Sequence, residues 1–133
     1  AGIVKAVFDM CGIRGTVSPL VILLGHGSSS NNNPFRQAYG CGACGGNAGI
    51  PNSRAFGKMA NDPRVREELR ALGLVIPEST WVVSGFHDTC TDEITFYERE
   101  KIPVSHQPEL ARIEKGLEEA CRRNALERCQ RFS

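Results

Sequence analysis

No apolar run in this chain approaches the ~20 residues that a membrane-spanning helix requires. The longest, Pro19 to Leu24, has the length of a strand. Charge of one sign is not in excess either: sixteen Lys and Arg stand against fifteen Asp and Glu, a formal net charge of +1. That balance gives no support to a nucleic-acid partner, which would want a basic face. The first residues show no cationic stretch followed by an apolar stretch and a cleavage site, so a secretory leader is not expected. A nucleotide-binding turn is missing as well. Gly25-His26-Gly27 follows an apolar run, but Ser30 stands where G-x-G-x-x-G needs glycine, and no G-K-[ST] follows. Internal repeats are absent, and low complexity is confined to the short Ser/Asn run at residues 28–33.

Cysteine is not scarce. Six residues (Cys11, Cys41, Cys44, Cys90, Cys121 and Cys129) could form a disulfide framework. A core-forming pattern and the missing export signal favour reduced thiols in a cytosolic setting instead. With 133 residues, 41% hydrophobic and 23% charged, the chain is one domain's worth. It begins at Ala1, inside an apolar pattern, and is expected to be a piece of something longer.

Ile3, Val4, Val7, Phe8 and Cys11 recur at helical spacing, which predicts a helix over 2–11 ended by Gly12 and Gly15. Leu20 to Leu24 predicts a strand buried on both faces. Residues 51–59 predict a short helix. A clearer one opens with Asp62 as N-cap and Pro63 in the first turn, turns Val65, Leu69 and Leu72 inward, and stops at Gly73. Thr80 to Phe86 predicts a second strand, residues 87–93 a turn, and Ile94 to Tyr97 a shorter strand. Beyond a charged connector, a long helix is expected from about Gln107 to Arg131, burying Leu110, Ile113, Leu117, Cys121 and Leu126. Its other face carries the i,i+4 pairs Glu118/Arg122, Glu119/Arg123 and Glu127/Arg131, a solvated surface. This order predicts an α/β domain with a mostly parallel sheet flanked by helices.

In open α/β sheets, ligands bind beyond the carboxyl ends of the strands. Both strong strands end alike, in Leu24-Gly25-His26 and Gly85-Phe86-His87, so parallel pairing would bring both imidazoles to one sheet edge. Seven of the fourteen glycines lie between Gly25 and Gly49, where backbone must turn sharply or approach something closely. The same stretch holds Cys41-Gly42-Ala43-Cys44, which has three readings. A zinc ribbon would need a second closely spaced pair, and Cys121 and Cys129 lie eight apart on a helix. A thioredoxin-type redox pair wants its first cysteine on a strand-to-helix turn, well before Cys41 here. The third takes His26 and Cys41 as two ligands of one zinc, since imidazole and thiolate both suit that ion. Further ligands could come from Cys44, His87, Asp88, Cys90 or Asp92, none at a decisive spacing. His106 has a structural reading only.

"LVILLGHGSSSNNNPFRQAYGCGACGG", "GIPNSRAF" and "IPESTWVVSGFHDTCTDEI" together resemble the C-terminal part of the DabA proteins, across essentially the whole chain. These are large soluble subunits of a bacterial inorganic-carbon uptake system, similar to β-carbonic anhydrases, so the fold is expected to be an incomplete version of that one. The resemblance implies a zinc held by two cysteines, a histidine and an aspartate, of which this chain supplies His26 and Cys41. The other two would lie in an upstream C-x-D-x-R motif, whose Asp–Arg dyad is catalytic; no catalytic residue is expected in this chain. Cys90-Thr91-Asp92 is a C-x-D, but Ile94 stands in the arginine position, which makes it a decoy. The implied partners are CO2 or bicarbonate and a DabB-like proton-channel membrane subunit. The implied location is the cytoplasmic face of the bacterial inner membrane, held peripherally, with this piece itself soluble. Residues 1–133 would then be a single domain or an excised piece, with a zinc half-site core at 1–100 and a C-terminal helix at 101–133. On its own the chain is expected to hydrate little or no CO2, and to self-associate through exposed apolar faces. Two alternatives remain: a non-catalytic zinc-binding or docking module closed by Cys44 and His87, and a C-x-x-C thiol redox protein.

Overall fold

The computed structural model describes every residue except Arg14, Thr16, Asn31 and Ser133. Helix α1 spans Gly2–Met10, strand β1 Leu20–Gly27, and the short helix α2 Arg36–Tyr39. After a 3-10 turn at Gly42–Cys44 come helices α3 (Ile50–Asn61) and α4 (Pro63–Ala71), then strands β2 (Trp81–Asp88) and β3 (Ile94–Phe96). Two further 3-10 turns lead into α5, Gln107–Gln130.

The sheet order is β1-β2-β3. β1 and β2 are parallel in register from Leu20↔Trp81 to Gly27↔Asp88, while β3 runs antiparallel to the end of β2. The sheet is therefore mixed: its long pair is parallel, as expected, and β3 adds a short antiparallel edge. Only five residues separate β2 from β3, and so short a connection forces a hairpin, because parallel neighbours need a long crossover.

Alternation along the strands sorts the core into two layers. On one face Val82, with Val21 and Leu23 packed nearby, meets Val4, Phe8, Phe56, Ala60 and Leu69 from α1, α3 and α4. On the other, Leu20 and Val83 meet Leu110 of α5, with Ile22, Trp81, Ile113 and Leu117 around them. β1 and β2 are thus covered on both faces, which is why they read as continuous apolar runs. By the same period-2 rule, His26 and His87 belong to the α5 face, in line with Ile22 and Val83.

Helix ends follow local chemistry. The Asp62 carboxylate accepts from the Arg64 N–H at 2.8 Å and caps α4. Its carboxyl is held down to about 2, chiefly by the Arg64 guanidinium. Leu69 is fully buried, but Leu72 is 48% exposed, because α4 has already ended at Ala71. Leu126 is likewise exposed, since the inward face of α5 continues through Cys121 and Arg128 and Leu126 lies off it. On the outer face of α5, Arg123 and Arg131 take the anticipated partners Glu119 and Glu127, whereas Arg122 pairs with Glu119 rather than Glu118. No helix among the described residues is long and apolar enough to cross a membrane.

Candidate metal and thiol site

His26 and His87 are register partners in the parallel pair, so the two imidazoles leave neighbouring strands at one end of the sheet. β1 runs past Gly25 and β2 past Phe86, so both histidines lie inside the strands. His26 is exposed and His87 half-buried. The loop that follows β1 is tied to the loop that follows β2. Thr89 donates to the Gly27 carbonyl from its N–H at 2.8 Å and its hydroxyl at 2.9 Å, and the Ser28 hydroxyl lies 3.1 Å from the Cys90 sulfur.

The glycine-rich stretch folds back over the end of β1. Gly49, at the start of α3, donates its N–H to the His26 carbonyl at 2.8 Å. A Cβ on Gly25 would sit 2.4 Å from the Gly49 carbonyl oxygen, so two backbones meet where no side chain fits. Two residues earlier Asn47 forms an antiparallel bridge with Cys41. Backbone pairing thus links Cys41 to Asn47 and, two residues on, Gly49 to His26. Gly40 and Gly46 make a second backbone approach, with a Gly40 Cβ only 2.3 Å from the Gly46 oxygen.

Within this knot Cys41 and Cys44 come together. Their sulfurs are 2.7 Å apart, Cys44 donating, and the Asn52 amide donates to the Cys44 sulfur at 3.1 Å. The contact with Cys41, reinforced by burial, pushes the Cys44 thiol above its ordinary value. All six cysteines are free thiols.

The remaining candidates separate. Asp88 accepts from the backbone N–H groups of Cys90 at 2.8 Å and Ser29 at 3.3 Å. Burial alone would raise its carboxyl, but these N–H groups hold it below the usual range. Asp92 is 5% exposed and turns toward α5, where it takes a two-point ion pair from Arg128 and lies 3.1 Å from His87 Nε2. Asn124 approaches the same carboxylate at 3.5 Å. The C-x-D decoy therefore has an arginine after all, but it comes from the last turn of α5. The signal for it was faint: Arg128 has Asn124 and Ala125 at i−4 and i−3, and so lacks the acidic partner its neighbours possess.

The Arg128 guanidinium holds the Asp92 carboxyl below the usual range against the opposing effect of burial, and His87 adds to this. A lowered folded-state value means that Asp92 stabilises the fold above the ordinary carboxylate range, and that this contribution is lost as pH falls through the folded value. Asp92→Asn is expected to cost about 2 kcal/mol at neutral pH. The deficit should shrink when the pH is taken below the ordinary carboxylate range. Urea unfolding of both proteins at the two pH values checks this; a deficit independent of pH would show that the ion pair is not its source.

Among the described residues, no group of three or more His, Cys, Asp or Glu side chains is placed to hold a metal ion. A cleft of ≈ 630 Å³ opens between α3 and the start of β2, lined by Arg54, Asn61, Trp81 and Tyr97 among others, and none of the candidate residues faces it.

Comparison with known proteins decides the family. The profile described as "Probable inorganic carbon transporter subunit DabA" matches residues 1–133. The chain belongs to the DabA family. It is 47% identical over 130 residues to "Probable inorganic carbon transporter subunit DabA 2" of Sorangium cellulosum, a match that covers 98% of this chain and 13% of that protein. The DabA of Dechloromonas aromatica is 47% identical with the same coverage, and that of Methylococcus capsulatus 48% identical over 92% of this chain and 11% of its own length. The chain therefore spans a small part of the curated DabA proteins it matches. No solved structure matches it.

Proposed function

We propose that this part of DabA contributes His26 and Cys41 to a zinc site completed by residues elsewhere in the longer polypeptide, within an inorganic-carbon uptake subunit similar to β-carbonic anhydrases. The observation that carries the reading is the backbone path from Cys41 through the Asn47 bridge and Gly49 to the His26 carbonyl. It brings the backbone of the Cys41 loop toward the carboxyl end of two parallel strands, where α/β sheets bind ligands. The donor set suits zinc, a borderline ion that takes thiolate and imidazole together. Two donors make half of a tetrahedral site, which residues elsewhere in the polypeptide would complete. When bound, zinc would supply Lewis-acid activation of water for hydration of CO2 to bicarbonate.

The chain's own residues hold the half-site in place. The Gly25–Gly49 approach fixes the start of α3 against β1, the Cys41–Asn47 bridge closes the loop, and Asp92 with Arg128 anchors His87 beside His26. In this reading the complete subunit works against the cytoplasmic face of the bacterial inner membrane with a DabB-like proton-channel partner, which makes uptake one-way. The Asp–Arg dyad belongs to the part of the polypeptide beyond this chain.

The isolated chain is expected to hydrate CO2 no faster than buffer, whereas the full-length subunit with its partner takes up inorganic carbon. Stopped-flow CO2 hydration on residues 1–133 is the check. Robust turnover by the isolated chain would overturn the half-site reading.

A further inference from the structure

The half-site leaves one nearby group without a task. Cys44 is not needed as a ligand, yet its sulfur lies 2.7 Å from that of Cys41. We propose that Cys41 and Cys44 are a reversible disulfide site, and that closing it withdraws Cys41 from the metal and so switches the centre off.

The backbone is already arranged for this bond. Gly42 and Ala43 make a 3-10 turn that returns the chain on itself, and the Cys41 carbonyl accepts from the N–H groups of Cys44 and Gly46, each at 3.0 Å. The Cys41 N–H donates to the Asn47 carbonyl at 3.0 Å, and the Asn47 amide donates to the Cys44 carbonyl at 3.0 Å. None of these bonds involves a sulfur, so the turn keeps its shape whether the thiols are reduced or joined. The two residues between the cysteines are Gly and Ala, too small to obstruct a co-reactant. Both cysteines are partly exposed, which gives a small molecule access. Asn52 presents an N–H to the Cys44 sulfur at 3.1 Å, a donor that stabilises charge developing there during exchange.

The oxidant is a low-molecular-weight disulfide, RSSR. The Cys41 sulfur attacks one sulfur of RSSR, an S–S bond breaks, and RS⁻ leaves a mixed disulfide on Cys41. The Cys44 sulfur then attacks the Cys41 sulfur and expels the second RS⁻. The two thiol protons end on the released thiols, so two protein thiols are oxidised and RSSR is reduced to two RSH. A dithiol reductant reverses both steps. Bond formation uses only the loop; its effect on metal rests on the zinc reading above.

The test uses the full-length zinc-loaded subunit, wild type and Cys44→Ser, equilibrated with oxidised and reduced glutathione over a range of ratios. Remaining thiols are alkylated, peptides are mapped by mass spectrometry, and zinc is measured in parallel. The expected wild-type result is a Cys41–Cys44 peptide lighter by two hydrogens, with zinc released in proportion and both changes reversed by dithiothreitol. Cys44→Ser should keep more of its zinc at the ratio that empties the wild type, because its Cys41 goes no further than a mixed disulfide that reduced glutathione reverses. Alkylation of both cysteines at every ratio would overturn the proposal while leaving the zinc reading intact. A mapped disulfide with zinc fully retained would overturn the switch. Zinc absent from reduced wild type would remove the zinc reading, and the switch with it, whereas the disulfide stands or falls on the peptide map alone.

Discussion

Gly25→Val is expected to unfold at a much lower urea concentration than wild type. A Cβ at this position would stand 2.4 Å from the Gly49 carbonyl oxygen and 2.7 Å from its carbon. Those are backbone atoms, and they cannot swing aside as the end of a side chain can. Relief requires β1 and the start of α3 to part, which breaks the Gly49 N–H bond to the His26 carbonyl. Overpacking of this kind costs roughly 1–3 kcal/mol. The lost bond adds about 1 kcal/mol. Gly116→Ala is the informative comparison. It lies within α5 with nothing inside 4 Å of a new Cβ. Relief of helix-interior glycine should stabilise it by about 1 kcal/mol. Equal urea midpoints for the two variants would mean that Gly25 and Gly49 are not in contact, and the path from Cys41 to His26 would lose its support.

What could be read from the sequence was what depends on local chemistry or on two-sided burial. β1 and β2 announced themselves because helices cover them on both faces, and α4 because Asp62 caps it and Pro63 opens it. The shared sheet edge of His26 and His87 followed from two similar strand ends and needed only parallel pairing to be real. The hairpin direction of β3 was missed, since three residues carry too little pattern and the short turn decides it. Leu126 was placed inward, but the inward face of α5 runs through Leu117, Cys121 and Arg128, and Leu126 lies off it. The Asp92–Arg128 pair and the Asn52 contact to Cys44 join residues 36 and 8 positions apart, and no spacing rule announces such contacts. The contact between Cys41 and Cys44 was more accessible, because a C-x-x-C across Gly and Ala needs only one tight turn.

The second large effect concerns chemistry rather than folding. On the proposed function, His26→Ala and Cys41→Ser in the full-length subunit are each expected to lower inorganic-carbon uptake to background. On the proposed zinc reading, loss of either donor would leave too few ligands to hold the ion, since the other two would come from elsewhere in the polypeptide. Neither side chain belongs to the buried core of the sheet: His26 is exposed, and Cys41 is half-buried in a loop closed by backbone bonds. Both variants should therefore fold, with urea midpoints close to wild type. That separates them from Gly25→Val, in which fold and function fail together.

Zinc per polypeptide decides between these accounts most directly. It is measured by elemental analysis of full-length subunit purified without chelator under reducing conditions, as wild type, His26→Ala, Cys41→Ser and Cys44→Ser. The account predicts zinc in wild type and in Cys44→Ser, and its loss from His26→Ala and Cys41→Ser. Zinc retained by His26→Ala or Cys41→Ser, or lost equally from Cys44→Ser, would contradict it.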